Sequence, residues 1–277
     1  MKRVDAIRAV AAKELADRLR NRWVWTVSAL LLATTLSLTF LGATPIGVVG
    51  APGPGAVMAS LLNLAVYLVP LLALVMGAGV VIDEKRRGVL DLILVSPISS
   101  GEYFLGAFLG YALALSIALV TSFVPTGIAL AFTTGIDPTE FARLLALVLA
   151  LGTVFLALSF LISILSRDPA RGVASSVLVW VLAVFVFDLA VVGLLVAYPG
   201  ELPPLVFEGL LLLNPADIFR VLAFTWTGSA AAPLGLTGLT PTIPPAVLTL
   251  ALVLWMIVPL LLGHRLFQRR LAMDTLI

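Results

Sequence analysis

The chain contains no cysteine and only one histidine, His264. Without thiols it can form no disulfide, no thiolate metal site and no cysteine nucleophile. A single histidine cannot build a metal site alone, and an interfacial position at the end of the last apolar segment is expected for it. The five methionines are scattered, so no copper-binding set and no metal ligand are predicted.

Catalytic motifs are missing as well. No Gly-x-x-x-x-Gly-Lys-Ser/Thr phosphate loop occurs, and the only lysines are Lys2, Lys13 and Lys85. Neither His-Glu-x-x-His nor Gly-x-Ser-x-Gly occurs, so the signatures of zinc peptidases and serine hydrolases are absent from the sequence. We therefore expect no catalytic residue in this chain, which argues against an intramembrane enzyme.

Charged residues are scarce: they make up 12% of the 277 residues, whereas 61% are hydrophobic. A soluble domain of this size could not bury so much apolar surface, so the sequence predicts an all-α, polytopic membrane protein with a single domain over residues 1–277. The first apolar stretch is long enough to be a retained span rather than a signal peptide. Six stretches are predicted to cross the membrane: Trp23–Gly42, Val57–Ile82, Tyr103–Thr133, Phe141–Leu165, Val173–Tyr198 and Pro245–Gly263.

The basic residues fall almost entirely on one side of this layout. The N-terminal segment, the connections after the second and fourth spans, and the C-terminal tail hold 15 of the 17 lysines and arginines. Only Arg143 and Arg220 fall on the other side. The positive-inside rule therefore predicts that both termini are cytoplasmic, and an even number of spans agrees with this orientation.

Two cytoplasmic segments have an unusual apolar content. Residues 1–22 are predicted to form an amphipathic helix in the lipid headgroup layer, and the alternative is a charged leader that only sets topology. Residues 83–102 are too apolar for a free loop, and Pro97 and Gly101 end a predicted short helix there. That helix suits a protein partner or the membrane surface, and the alternative is an extension of the second span. The apolar stripe of the first segment comprises Val4, Ile7, Ala11, Leu15 and Leu19.

On the outer side, residues 199–244 form the longest connection. Leu205–Leu213 is apolar but too short to span, and Asn214 to Asp217 read as a turn and helix cap. Two short extracytoplasmic helices are predicted to rest on the membrane surface, with Phe224 and Trp226 at interface depth.

The same connection is a candidate docking platform for an extracytoplasmic protein. Keeping one arginine outside is explained by a pair between Arg220 and Asp217, three residues apart on one helix face. The alternative is a segment that only rests at the interface. The predicted docking residues are Glu208, Asn214, Asp217, Phe219 and Arg220.

Asp188 is the only ionisable residue deep inside a predicted span. A carboxylate there is costly unless it is paired, hydrogen-bonded or protonated. Because no basic residue is expected at its depth, a structural hydrogen bond to Ser, Thr or a Trp indole is favoured over a proton or substrate contact. Gly106 and Gly110, at the start of the third span, permit a close helix contact.

Two segments carry a resemblance to a known family. One is Glu84…Gly88-Val89-Leu90…Ser96-Pro97-Ile98-Ser99…Glu102-Tyr103…Leu105-Gly106, and the other is Ala12-Lys13-Glu14-Leu15…Arg20-Asn21-Arg22. With the six-span layout, they resemble permease subunits of type-2, exporter-class ABC transporters. Three positions depart from the family pattern. Val89 stands where the family commonly has Thr, Ser100 where it usually has Arg, and Ala107 where it often has Lys.

The resemblance implies a coupling helix that docks on a separate ABC ATPase, which binds the ATP and Mg. It implies no cofactor and no nucleic acid for this chain. It also implies a second copy of the chain, as a homodimer, and contact with membrane lipid in the bacterial inner membrane. The coupling residues it implies are Glu84, Arg86, Gly88, Leu90, Leu92, Pro97 and Glu102.

Within that class, the run Leu213-Asn214-Pro215-Ala216-Asp217-Ile218-Phe219-Arg220, with Trp180 and Asp188-Leu189 upstream, resembles one subclass. Its members serve the maturation of nitrous oxide reductase, an enzyme of denitrification. This implies work on the copper sites of the reductase, with a periplasmic solenoid protein on the outer face. Alternatives are an exporter of a lipid, peptide or drug and, from another class, a proton-linked carrier that uses Asp188.

Overall fold

A computed structural model of the chain describes residues 3–41, 54–82, 98–198, 203–227 and 243–274. All regular structure in these residues is helical. Six of the seven predicted coupling residues, Glu84 to Pro97, lie outside the described part, and only Glu102 lies within it. The helices are α1 (Arg3–Arg20), α2 (Arg22–Leu41), α3 (Pro54–Gly77), α4 (Ser100–Thr133), α5 (Pro138–Leu165), α6 (Pro169–Ala197), α7 (Pro204–Leu212), α8 (Pro215–Thr227) and α9 (Pro245–Asp274).

Five helices are long and apolar enough to cross a membrane, and they coincide with five of the six predicted spans. Besides α4, α5 and α6, they are the stretch Val57–Ile82, which contains most of α3, and the stretch Pro245–Arg270 of α9. At the place of the first predicted span, α2 is an apolar helix whose stretch Val24–Leu38 is shorter than a span requires. Six spans therefore stay a prediction.

Local hydrogen bonds explain where three of the spans begin. Ser99 and Glu102 form a capping box at the start of α4, in which each side chain accepts from the other residue's backbone N–H. Asp137 and Asp168 cap α5 and α6 in the same position, each followed by a proline that cannot donate a hydrogen bond. The described turns between these spans are short, so consecutive spans run antiparallel.

The core of the bundle forms around α5, which packs against α3, α4, α6, α8 and α9. Gly77 of α3 contacts Ser159 of α5, and the Ser159 hydroxyl donates to the Leu74 carbonyl at 2.5 Å. On the other flank, the hydroxyls of Thr35 in α2 and Thr126 in α4 lie 2.8 Å apart. Small residues and internal hydrogen bonds of this kind hold apolar helices together where lipid offers no hydrophobic drive.

The N-terminal helix α1 packs along the first turns of α4. A Cβ atom at Gly106 would lie 2.7 Å from the Val10 Cβ, and one at Gly110 would lie 2.6 Å from the Glu14 Cβ. The predicted close contact at these two glycines is therefore present, and its partner is α1. The predicted apolar stripe is only partly the contact face, because Ala11 is buried whereas Val4 is 58% exposed. Placement of α1 in the headgroup layer stays a prediction.

Two spans are left open along one side. Only 11% of the most apolar stretch of α6 and 22% of that of α9 is buried within the chain, against 56% for the spans formed by α3, α4 and α5. The exposed side chains of α6 are apolar, and they include Val177, Leu178, Leu182, Phe185, Leu189 and Val196. These faces require lipid or another protein surface.

Candidate functional site

The short helix α8 is enclosed by the spans. It packs against α3, α5, α9 and the middle of α6. The prediction that it rests on the membrane surface is wrong, because its apolar side chains surround the helix and need protein on every side. Phe224 and Trp226, predicted at interface depth, are half-buried. The fully buried side chains of α8 include Ala216, Ile218, Phe219, Leu222 and Ala223.

An arginine and two aspartates form an ion cluster where α8 meets α6. The Arg220 Nη1 lies 2.6 Å from the Asp217 Oδ1, so the predicted pair between these residues is present. The same Nη1 lies 2.7 Å from the Asp188 Oδ1. The expectation that no basic residue reaches the depth of Asp188 is wrong: α8 sinks between the spans and brings Arg220 to it.

Asn214 extends this cluster to the backbone of α6. Its Nδ2 donates to the Asp217 Oδ2 at 2.9 Å and to the Ala183 carbonyl at 2.7 Å. Its Oδ1 accepts from the Ala216 N–H and so caps the start of α8. Ala183 belongs to a π-helical turn, Leu182–Val186, in which the chain makes wider hydrogen-bonded turns than an α-helix. The carbonyl that accepts from Asn214 therefore lies in the irregular part of the fifth span.

The charges of the cluster do not cancel. Two carboxylates face one guanidinium, and the side chains of Arg220 and Asp217 are each 3% exposed. Burial raises the pKa of Asp217 to about 6; the charge of Arg220 opposes this rise and the charge of Asp188 adds to it. A proton on Asp217 would leave Arg220 and Asp188 as a balanced pair.

A second arginine holds the other end of α8. The Arg143 Nη1 on α5 donates to the Trp226 carbonyl at 3.0 Å, in the last turn of α8. A cation at this place also meets the negative end of the helix dipole. Arg143 and Arg220 are the two basic residues that the charge pattern separates from the rest, and each joins α8 to a span: Arg143 from α5 to the end of α8, and Arg220 from α8 to Asp188 of α6.

The predicted docking residues thus have different positions from those expected. Asn214, Asp217, Phe219 and Arg220 are buried within the chain, and Glu208 on α7 is half-buried. The first four side chains bind one another and the spans, so they offer little surface to a second protein. Leu205 in the neighbouring α7, and Leu213 just after that helix, are by contrast well exposed.

The opposite end of the bundle holds Glu102. Its carboxylate accepts from the Ser99 N–H at 2.9 Å and lies 3.9 Å from the Nε of Arg3 on α1. The His264 ring lies against Gly101, where an added Cβ would come within 2.8 Å of the His264 Cε1. The last part of α9, the start of α4 and the start of α1 therefore meet at one end of the bundle.

Sequence reasoning missed the contact between Asp188 and Arg220, although a signal existed. A carboxylate inside a span requires a partner, and Arg220 was one of only two cations on the far side of the layout. Chemically, the cluster can fix α8 to α6 and can take up one proton. Because Arg220 is bound by both carboxylates, this arrangement is typical of a structural ion cluster.

Comparison with known proteins places the chain in a family. The model of the ABC-2 family transporter protein matches residues 8–271. A probable ABC transporter permease protein NosY from Stutzerimonas stutzeri is 37% identical over 273 residues, which cover 95% of this chain and 98% of that protein. The protein of the same name from Pseudomonas aeruginosa is 36% identical over 268 residues, covering 94% and 97%. The chain is therefore a membrane permease of the ABC-2 transporter family, similar to NosY along nearly its whole length.

Proposed function

We propose that this chain is the membrane subunit through which a separate ABC ATPase drives transport or mechanical work across the bacterial inner membrane, in the maturation of the copper sites of nitrous oxide reductase. The observation that carries the proposal is the similarity to two NosY permeases, which covers 95% and 94% of the chain. The sequence has no phosphate loop of its own, so ATP hydrolysis is assigned to the partner.

The proposed contact with the ATPase is the segment from Asp83 to Tyr103, on the cytoplasmic side. The described end of this segment supports a mechanical role. Ser99 and Glu102 cap α4, and α1 and α9 pack beside that cap, so a force on the segment reaches three helices. The cap makes Glu102 a positioning residue for the helix start in this proposal.

The proposed assembly contains two copies of the chain. Its support is the open apolar side of α6, which is the least buried of the five spans. A second copy packed there would cover side chains such as Leu178, Phe185 and Leu189. A homodimer would also provide one docking segment for each of two ATPase subunits.

An extracytoplasmic partner is proposed to contact α7 rather than the buried cluster. Leu205 is 80% exposed and Leu213 62% exposed, whereas the ionic side chains of α8 are enclosed. Substitution Leu205→Glu should therefore release such a partner on co-purification while the ATPase stays bound. Release of both proteins together would indicate misfolding, and retention of the partner would place its docking site elsewhere.

The coupling proposal is tested with the purified chain and its ATPase. The chain alone should hydrolyse no ATP, and Leu90→Glu or Leu92→Glu should abolish co-purification of the ATPase. Leu213→Glu is the matched control at the opposite end of the bundle and should retain the ATPase. ATP hydrolysis by the isolated chain, or equal loss of the ATPase in the control, would contradict the proposal.

The biological role is tested in the host. Deletion of the gene should leave nitrous oxide reductase without its copper centres, as measured by the metal content and visible absorption of the purified reductase. The intact gene should restore both. A fully copper-loaded reductase in the deletion strain would instead favour an exporter of a lipid, peptide or drug. The proton-linked carrier has weaker support, because Asp188 is engaged by Arg220.

A further inference from the structure

A cavity of about 240 Å³ lies where α1 turns into α2, at the end of the bundle that contains the start of α4. The last turn of the second span, the middle of α4 and the first turns of α6 complete its wall. Its lining includes Arg18, Asn21, Val24, Met76, Tyr111 and Val173. Because α2 and α6 begin their apolar stretches here, the cavity lies at the level where headgroups give way to acyl chains.

Arg18 supplies a cationic group to this cavity. Its guanidinium carbon lies 4.4 Å from the centre of the Tyr111 ring, which fixes the group by a cation–π contact. Its Nη2 is 3.8 Å from the Glu14 Oε2, whereas the Glu14 Oε1 has a nearer partner, the Lys13 Nζ at 2.7 Å. The Arg18 Nε is buried and donates to no acceptor in the described part of the chain.

A buried guanidinium N–H without an acceptor is costly, and the oxygens of a phosphate match the flat guanidinium fork well. Arg18 is also reachable from outside, since 25% of its side chain is exposed. The guanidinium of Arg18 is thus accessible to an anion.

Most of the other lining residues are apolar. Val24 and Val80 are buried, Met76 is half-buried, and Val173 is 40% exposed on the open side of α6. A ligand whose charged group reaches Arg18 would therefore leave its remaining part between hydrocarbon side chains and lipid. Free phosphate would satisfy Arg18 but not this apolar wall.

We propose that this cavity binds one anionic phospholipid per chain, with its phosphate on Arg18 and an acyl chain along Val24, Met76 and Val173. The site would join α1 to the spans through a lipid, at the end of the bundle where coupling is proposed. The proposal rests on the cavity and on insertion in a membrane. It does not depend on the identity of the ATPase or on nitrous oxide reductase.

The test uses the full chain purified in detergent without its ATPase. Native mass spectrometry after addition of phosphatidylglycerol should detect one retained lipid per chain, and retention of phosphatidylcholine should be weaker. Arg18→Gln should reduce retention of phosphatidylglycerol about tenfold or more. Arg20→Gln, the same charge change on an exposed neighbour, should retain the lipid as the wild type does.

A second variant separates binding from folding. Val173→Trp leaves Arg18 in place and fills the open side of the cavity, so it should also lose the lipid while remaining monodisperse. Equal retention in Arg18→Gln and Arg20→Gln would overturn the proposal. So would equal retention of both lipids, or displacement of phosphatidylglycerol by millimolar inorganic phosphate, which would indicate a site for a free anion.

Discussion

Asp188 in the fifth span and Arg220 in α8 lie 2.7 Å apart, between Oδ1 and Nη1, although 32 residues separate them in the chain. This pair joins the least buried span to a helix that is almost entirely enclosed. Any displacement of α6 relative to the other spans must move α8 or break an ion pair inside the protein. Asn214 binds Ala183 beside it, so the two helices are joined at two places.

Loss of Arg220 should damage the protein more than loss of Asp188. Arg220→Leu leaves the buried carboxylate of Asp217 facing the half-buried one of Asp188, and breaking a buried pair in this way costs about 3–5 kcal/mol. Asp188→Asn keeps a hydrogen-bond acceptor and leaves Arg220 with Asp217, so it should cost about 1 kcal/mol or less. The thermal unfolding midpoint and the monodisperse yield in detergent measure both effects.

The control for this comparison is Arg143→Leu. It removes an arginine from the same end of the bundle, but an exposed one whose partner among the described residues is the Trp226 carbonyl. We expect it to cost less than about 1 kcal/mol. Equal losses in Arg220→Leu and Arg143→Leu would mean that the ion cluster adds nothing specific to stability.

Stability should fall as the pH rises from about 4 to 6. Burial holds the pKa of Asp217 near 6 in the folded chain, against 3.8 for an ordinary aspartate. In that interval the folded state binds more protons than the unfolded state, so rising pH favours unfolding. Thermal unfolding of wild type and Asp217→Asn between pH 4 and 7 should show this slope in the wild type only. A control is Asp17→Asn, which changes a half-exposed carboxylate on α1 and should keep the slope.

Gly110 should be necessary for the contact between α1 and α4. A Cβ there would lie 2.7 Å from the Ala11 carbonyl oxygen, which belongs to the backbone and cannot turn away. Gly110→Val should therefore displace α1 at a cost of about 1–3 kcal/mol. A single cysteine at Ala11, which is buried, should then react with a thiol reagent several-fold faster than in the parent chain. A cysteine at the exposed Ala12 should react at the same rate in both, and Gly193→Val, at an open position, should change neither rate.

The predicted orientation can be measured with single cysteines, because the chain has none of its own. With a membrane-impermeant thiol reagent on intact cells, a cysteine at Thr227 should react, whereas cysteines at Ser99 and Arg269 should not. Ser99 and Arg269 are both exposed, and the stacking of Tyr103 on Phe267 brings their helices together at one end. Labelling of a cysteine at Ser99 or Arg269 would contradict the predicted cytoplasmic position of that end of the bundle.

Hydropathy predicted the spans well because their length and apolar content are properties of contiguous sequence. The third predicted span, Tyr103–Thr133, matches α4 within three residues, and the capping box at Ser99 explains the difference. The predicted pair of glycines at 106 and 110 also proved to be a close helix contact. The sequence pattern did not indicate that α1 is the helix that contacts these glycines, because α1 is charged and resembles a surface helix.

The depth of α8 was not predictable from periodicity. A short helix between two spans is equally compatible with the membrane surface and with the interior of a bundle, since both accept apolar residues. Only the tertiary contact decides, and here Arg220 can lie inside because Asp188 and Asp217 are present to accept its hydrogen bonds. The π-helical turn at Leu182–Val186 likewise has no composition signal, because its residues suit an ordinary α-helix.

The length of α4 has a mechanical consequence. Its 34 residues rise about 51 Å at about 1.5 Å each, whereas the hydrocarbon layer is about 30 Å thick. The end that carries Ser99 therefore projects well beyond the lipid, and α1 braces that projection through Gly106 and Gly110. A displacement of the end at Ser99 would tilt the part of α4 that precedes Pro125. At Pro125 the missing backbone hydrogen bond permits a bend, so the last turns up to Thr133 can move separately.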